Sequence, residues 1–458
     1  MRTPTCRATC NTHCWMIGIG ILLGFAMLAS PAGAQSDAPQ QPLVIEFRGD
    51  DLQQVIDEAP SGATIQCNPA RELTLSRPIT ISKPLTLRGL SARLPEKLGG
   101  APLVIIQADG VTLTDFELRG NGDSVPQKNR APLVEVRADR FHVARGLLLN
   151  SSKDGVMIQG SAKPDGDLVG GVVRDLVGRN VIRDTVSISG SGADGRRVRN
   201  ILVENIRAYD SELRGAVEVS DGSENVTVRT VYAEGCVYAI DVQDHNQPQQ
   251  INRNVLVEDV YAVRCKHAIR TANHPFGHSN LTVRDITAEQ CTHPIQITHT
   301  DLLTLANVRV LDQEPGGPAV AVRNCQGVSV RDVAIRNARS EGPAVLLEDC
   351  GDCLFDGLVL HGNTDTLEAG VCFRMKSPGT LTGLRITNVS AGSLRGPGIL
   401  LESSGGNSGT LTDYAIYGNP ATVSDLIQGP RRVIQGNLDQ NAPTDGSMVP
   451  GPQREAAR

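Results

Sequence analysis

Six of the nine histidines fall between His245 and His299, a stretch of 55 residues: His245, His267, His274, His278, His293 and His299. The same stretch carries acids, cations and a tyrosine at fixed offsets from recurring aliphatic anchors. One residue after the anchors stand Ser187, Glu218, Asp241, Arg270 and Gln296, then Ala321 and Leu346. Two residues before them stand Asp154, Asp184, Gly215, Tyr238, His267 and His293. Three before them stand Lys153, Arg183, Arg214, Val237, Lys266 and Thr292. Carboxylates, cations, imidazoles and a phenol at this density suit proton transfer on a polar substrate.

Three activities fit these residue types. β-Elimination on an acidic polysaccharide needs a base near the uronate C5 proton, and positive charge or a metal on the carboxyl group. Arg270 or Lys266 is the candidate base, with Tyr238 or His267 as base or acid. Glu218 and Asp241 can hold Ca²⁺ through oxygen ligands. Glycoside hydrolysis needs paired carboxylates. On neighbouring rungs of a stacked repeat, Glu218 and Asp241 stand about 5 Å apart, near the retaining separation. The third reading is a non-catalytic module that binds carbohydrate or serves as a structural part of the cell envelope. An aromatic content of 3% leaves few rings for sugar stacking. Lys153, Arg183, Arg214 and His293 are the candidate substrate-binding residues, because an acidic glycan needs a cationic track. A metal variant uses His245, His274 and His299, which follow their anchors by five, five and four residues and can converge on Zn²⁺. Without any site, Glu218, Asp241 and Arg270 form a surface ion-pair ladder worth about 0–1 kcal/mol per pair.

These residues are placed by a repeat of about 25 residues. A small residue or proline precedes an aliphatic pair in Ala216-Val217-Glu218-Val219, Ala239-Ile240-Asp241-Val242, Ala268-Ile269-Arg270-Thr271 and Pro294-Ile295-Gln296-Ile297. Val320, Val345, Val371 and Ile399 continue the series, at spacings of 23, 29, 26, 25, 25, 26 and 28 residues counted from Val217. Val104, Val134, Val156 and Val186 extend it upstream. A second apolar run follows each pair, preceded by Asn200, Asn225, Asn254 or Asn280. Period-two alternation, turn residues between runs and the absence of a helical period within the repeat predict strands. Each repeat is then one coil of a parallel β-helix of about eleven or twelve coils, stacked about 4.8 Å apart. Stacking turns the asparagines into a buried amide ladder. It turns Cys236, Cys265 and Cys291 into a column of small buried side chains, or into partners for disulfides between neighbours. Cys350 and Cys353 form a CxxC outside any βαβ pattern, read as structural or as a local disulfide.

The ends differ from the body. Arg2 and Arg7, the apolar run from Trp15 to Ala29 and Ala32-Gly33-Ala34 read as a secretory signal peptide over residues 1–34. Residues 35–42 are a polar linker, residues 43–435 the β-helix, and residues 436–458 a disordered tail. This predicts a secreted or periplasmic monomer with no membrane span. The net charge is −6, or −8 without the two leader arginines, which excludes the basic footprint of a nucleic-acid binder.

Leu52, Val55, Ile56 and Ala59 lie at helical spacing behind Asp50 and Asp51, which can cap a short helix. Such a helix would cover the open end of the stack. This segment, then Pro60-Ser61-Gly62-Ala63-Thr64-Ile65, Leu73-Thr74-Leu75 and Ile79-Thr80-Ile81, resembles the opening of the pectin lyase-like right-handed β-helix superfamily. The resemblance covers residues 43–430 and implies an all-β, right-handed parallel β-helix with an N-terminal capping helix. That fold hosts lyases, hydrolases, esterases, epimerases and non-enzymes. Its pectate lyases carry acidic metal ligands and a basic catalytic residue on an outward face, similar in type to Glu218, Asp241 and Arg270. Lys153-Asp154-Gly155-Val156 resembles the NTDGI segment of the polygalacturonase-like family. Arg183-Asp184 sits at its double aspartate, and Lys266-His267-Ala268-Ile269 resembles its Gly-His-Gly turn. Here Arg183 replaces the first aspartate, the RIK signature is absent, and His267 lies three coils from Asp184, about 14 Å. That family's mechanism is therefore not carried over, and the expected function is processing of an acidic polysaccharide by elimination or hydrolysis.

Overall fold

A computed structural model describes residues 43–434, apart from 96–99, 191–194, 246–250, 272–276, 363–365, 378–379, 392–393, 395, 404–409, 413, 418–422 and 426–431. The expected leader, the linker and the tail lie outside the described residues, as does His274. No helix among the described residues is long and apolar enough to cross a membrane.

Each coil of the body supplies a short strand to one sheet and a longer strand to another. The short strands form a 14-stranded parallel sheet and the long ones belong to an 18-stranded parallel sheet. The aliphatic anchors pair rung to rung: Val186 with Val217, Val217 with Ile240, Ile240 with Ile269, Ile269 with Ile295, Ile295 with Val320 and Val320 with Val345. All are fully buried. The predicted interior stack is therefore present, in one sheet and in parallel register. A coil cannot bury its apolar face alone, so each anchor is covered by the equivalent residue of the next coil.

The long strands bend at regular left-handed positions. Asn200, Asn205 and Asp210 have positive φ, as do Asn225, Thr230 and Gly235, then Asn254, Asp259 and Arg264, then Asn280, Asp285 and Gln290, with φ between 50° and 66°. Asn, Asp and Gly dominate because they tolerate this region best. The first asparagine of each set bonds its neighbour: Asn225 Nδ2 donates to Asn200 Oδ1 at 3.1 Å, Asn254 to Asn225 at 2.9 Å and Asn280 to Asn254 at 2.8 Å. The amide ladder is present, but it is exposed rather than buried. A left-handed bend turns these side chains away from the core.

Asn254→Val should therefore cost about 1–2 kcal/mol, because a β-branched residue is strained at positive φ. Asn254→Gly should cost less, losing only the amide bonds. Urea midpoints of the two variants check this ordering, and the reverse ordering would remove the strain explanation.

Near the N-terminus, Leu52–Glu58 is α-helical, and the Asp51 side chain accepts the Gln54 amide N–H at 3.1 Å. Leu52, Ile56 and Ala59 are buried in the common core and Val55 packs against it. Cys236, Cys265, Cys291, Cys350 and Cys353 are buried free thiols, so neither the neighbour disulfide nor the local CxxC bridge forms. Burial pushes the Cys353 thiol up to about 12 and that of Cys291 to about 11.

Candidate active site

The strands Gly215–Ser220, Tyr238–Gln243, His267–Thr271 and Ile295–Thr298 carry the chemical columns on the face turned away from the core. Glu218 pairs with Ser187 on one side and Asp241 on the other. Asp241 pairs with Arg270, and Arg270 with Gln296. Alternation fixes this, since Ile240 and Val242 point inward and Asp241 between them must point outward.

Outward does not mean exposed here. Asp154, Asp184 and Asp241 are 0% exposed and Glu218 is 2% exposed. Lys153, Arg183, Arg214 and Arg270 lie over them with side chains 23–31% exposed. Lys153 Nζ is 3.9 Å from Asp154 Oδ2, and Arg183 Nε is 3.5 Å from Asp154 Oδ1. Arg183 Nη2 also lies 3.6 Å from Glu218 Oε2. Arg214 pairs closely with Glu218 and stands 3.6 Å from Asp184 Oδ2. Ser187 Oγ donates to Glu218 Oε2 at 2.7 Å, and Gln243 Nε2 donates to Oε1. Arg270 Nη2 donates to Asp241 Oδ2 at 2.7 Å. A row of acids thus lies under a lid of cations.

Tyr238 joins the two ends of this row. Gly215 faces it on the neighbouring rung, and a Cβ at that position would lie 2.6 Å from a Tyr238 ring carbon. The missing side chain lets the phenol cross that rung and donate to Asp184 Oδ1 at 2.8 Å. The Arg270 guanidinium sits over the same ring, 4.6 Å from its centroid. Asp184 N–H in turn donates to Asp154 Oδ1 at 3.3 Å.

Burial sets the protonation pattern. It raises Asp184 to about 7, with the Asp154 charge adding to the rise and Arg214, Arg183 and the Tyr238 hydrogen bond opposing it. Burial also raises Asp241, against Arg270. The Tyr238 phenol is pushed well above its usual range by burial and by the charges of Asp184 and Asp241. Burial tends to lower Arg270, but the charge and hydrogen bond of Asp241 leave it raised. His267 is pushed down to about 3, chiefly by burial, and its Nδ1 lies 2.7 Å from the His293 carbonyl oxygen. That contact makes Nδ1 the donor, and burial keeps the ring neutral against its pull.

Several expectations change. Glu218, Asp241, Tyr238 and His267 do not line an open groove; all four are buried. Arg270 is bound to Asp241, unlike a free base. Lys153, Arg183 and Arg214 are engaged with buried acids rather than forming an open track. Lys266 is exposed, and His293 is partly buried. Glu218 and Asp241 do not fit a Ca²⁺ cage, since each faces a guanidinium, and no three metal-ligating side chains converge among the described residues. His245 Nδ1 pairs with Asp221, and His299 Nδ1 lies 2.5 Å from Thr298 Oγ1. Asp154 and Asp184 were in view as members of a column and in the NTDGI-like and double-aspartate segments, but periodicity alone did not mark them as the buried pair.

Outside this face, Tyr209, Tyr232 and Tyr261 stack along the long-strand sheet with ring centroids 5.6 and 5.9 Å apart. Arg179 lies over Tyr209 at 4.2 Å. Half of the six tyrosines therefore share one outer ladder.

No family model matches the chain. No curated protein matches it either. Among solved structures it is similar to the family 28 exopolygalacturonase of Yersinia enterocolitica, at 13% identity and a TM-score of 0.50, over 73% of this chain and 77% of that one. The fold shared with that structure is an all-β parallel β-helix. A GH87 α-1,3-glucanase catalytic domain in complex with nigerose aligns at 10% identity and a TM-score of 0.52, over 83% and 70% of the two chains. The catalytic unit of a GH87 α-1,3-glucanase from Streptomyces thermodiastaticus aligns at 15% identity and a TM-score of 0.50, over 92% and 73%. At such identities the likeness is one of fold, so the reaction has to be argued from this chain's own side chains.

Proposed function

We propose that this β-helix is an exported polysaccharide-processing enzyme that hydrolyses an acidic glycan. One observation carries the reading: Asp184 is a buried carboxyl group raised to about 7, and its backbone N–H donates to Asp154 Oδ1 on the adjacent rung. A group half protonated near neutrality is suited to giving a proton to a glycosidic oxygen as the C–O bond breaks. Asp154, one rung away at about 4.8 Å, is the partner carboxylate, close to the retaining separation of about 5 Å. Access requires the Arg183 and Arg214 side chains to swing aside, and both reach solvent. An anionic sugar offers those guanidiniums a new partner. The three solved β-helix glycosidases of similar fold support carbohydrate as the substrate class, and the leader-like first 34 residues support export.

Elimination is less well supported. Its candidate base Arg270 is held by Asp241, and its candidate acids His267 and Tyr238 are buried and bonded elsewhere. A non-catalytic glycan binder is favoured by the tyrosine ladder and by the ion pairs that cover the acids.

A panel of acidic and neutral glycans tests the reading. New reducing ends without absorbance from an unsaturated uronate are expected. Unsaturated product would overturn hydrolysis in favour of elimination. Neither signal across the panel would leave the binding reading.

A further inference from the structure

We infer that the cleft beyond Arg270 is a subsite for an anionic group carried by a sugar, a carboxylate or a sulfate. The inference rests on the glycan reading above but not on hydrolysis. The columns turn small here, and the structure shows what that achieves. Gly317, Pro318 and Ala321 leave an open volume of about 550 Å³ between the neighbouring coils of Lys266 and His293 and the coils of Arg323, Glu348 and Lys376. This lies within the roughly 300–1,000 Å³ usual for small-ligand sites. Gly317 allows the backbone to approach His293, whose ring would lie 2.8 Å from a Cβ placed there.

The charge in the cleft is opposite to that of the chain. Lys266, Arg323 and Lys376 face a single lining carboxylate, Glu348, in a protein of net charge −6. Glu348 is shared, with Arg323 Nε at 3.6 Å and Lys376 Nζ at 2.9 Å. Lys266 has no carboxylate at ion-pair distance among the described residues. One acid between three cations leaves positive charge to attract an anion. The half-buried His293 responds to that field: burial, then Lys266 and Arg323, lower its affinity for a proton.

The position is also apt. Gln296 lines the cleft and pairs directly with Arg270, so it stands one rung beyond Arg270 and two beyond Asp241. From Asp184 to Gln296 is four rungs, about 19 Å along the axis, a span for several sugar units. Lys153, Arg183 and Arg214 lie over buried acids at the other end, so the cation without a carboxylate partner among the described residues, Lys266, lies on this side.

Calorimetry with the full chain tests the subsite, using oligogalacturonate, sulfated galactan oligosaccharides and a neutral xylan oligosaccharide of equal length. At least one anionic oligomer should bind, more weakly as salt rises, and the neutral one should bind at least tenfold more weakly. Which anionic oligomer binds decides between carboxylate and sulfate. Lys266→Gln and Lys376→Gln should each weaken binding by about 3- to 10-fold. Glu348→Gln, which keeps the shape and removes the one acid, should tighten it. Circular dichroism confirms that each variant is folded. Equal binding of neutral and anionic oligomers, no binding of either anionic oligomer, or indifference to all three substitutions would overturn the subsite. Binding with these responses but no released reducing ends would leave the subsite and remove the hydrolase. Cleavage of neutral glycans alone would do the reverse.

Discussion

Asp184→Asn should lower kcat on the cleaved glycan by about 10²–10⁴-fold, the usual loss when a general acid is removed, with a much smaller change in KM. Asparagine keeps the shape and can still accept the Tyr238 hydroxyl, so the chain should fold. The same substitution carries a signature in stability. The folded-state value of Asp184 is raised to about 7 from an ordinary value of 3.8. The native state therefore holds this proton more tightly than the unfolded state does. Its favourable contribution is complete below the ordinary carboxylate value and is lost as pH rises through that window to about 7. Asp184→Asn should remove this dependence and melt higher than the parent above about pH 7, with no such gain below about pH 4. Wild-type turnover in the asparagine variant would end the assignment of Asp184 as the proton donor. An unchanged stability profile would show that the carboxyl group is not raised.

Arg270→Ala should be costly to folding. As part of the surface ion-pair ladder that the sequence suggests, the arginine would be worth about 0–1 kcal/mol. The structure reverses that expectation. Asp241 is fully buried, its Oδ2 accepts from Arg270 at 2.7 Å, and the guanidinium also packs on Tyr238. Removing one member of a fully buried pair costs about 3–5 kcal/mol, and the 31% exposure of the Arg270 side chain reduces this to about 2–4. The sign with pH follows from Asp241, which burial raises against the pull of Arg270. Ionised Asp241 already opposes folding as pH rises above its ordinary value, and it does so more strongly without the cation. The loss should be largest at neutral pH and shrink below about pH 4, where Asp241 is protonated in both states. Urea midpoints at the two pH values check this, and a loss under about 1 kcal/mol at both would show the pair to be a solvent-screened one. Arg270→Lys should recover part of the stability, since it returns the charge but not the flat contact with the ring.

The fold was legible because its physics is local and repeated. Val217, Ile240, Ile269 and Ile295 recur at nearly one spacing, and a coil that cannot bury its apolar face alone must stack the next one in register. In a solenoid, a column in the sequence is a column in space. For this reason the outward neighbours Glu218, Asp241, Arg270 and Gln296 were placed on successive rungs correctly. The asparagine ladder was found by the same logic. Its exposure was not, because a left-handed bend at Asn200, Asn225, Asn254 and Asn280 is a backbone property that period-two alternation does not report.

The site depended on contacts that periodicity does not encode. Tyr238 reaches Asp184 across two rungs only because Gly215, between them, has no side chain. Lys153, Arg183 and Arg214 read as an open cationic edge, but long side chains choose their partners in three dimensions, and these lie over buried acids. Residues from coils that looked bland, Arg323, Glu348 and Lys376, come together with Lys266 around the gap left by Gly317 and Ala321. The sequence by itself determined the β-helix and the order of chemical groups along it, since both follow from a repeat. The tertiary structure alone decided which groups are buried, which are paired and where a ligand can enter, since these depend on side-chain reach and on missing side chains in neighbouring coils.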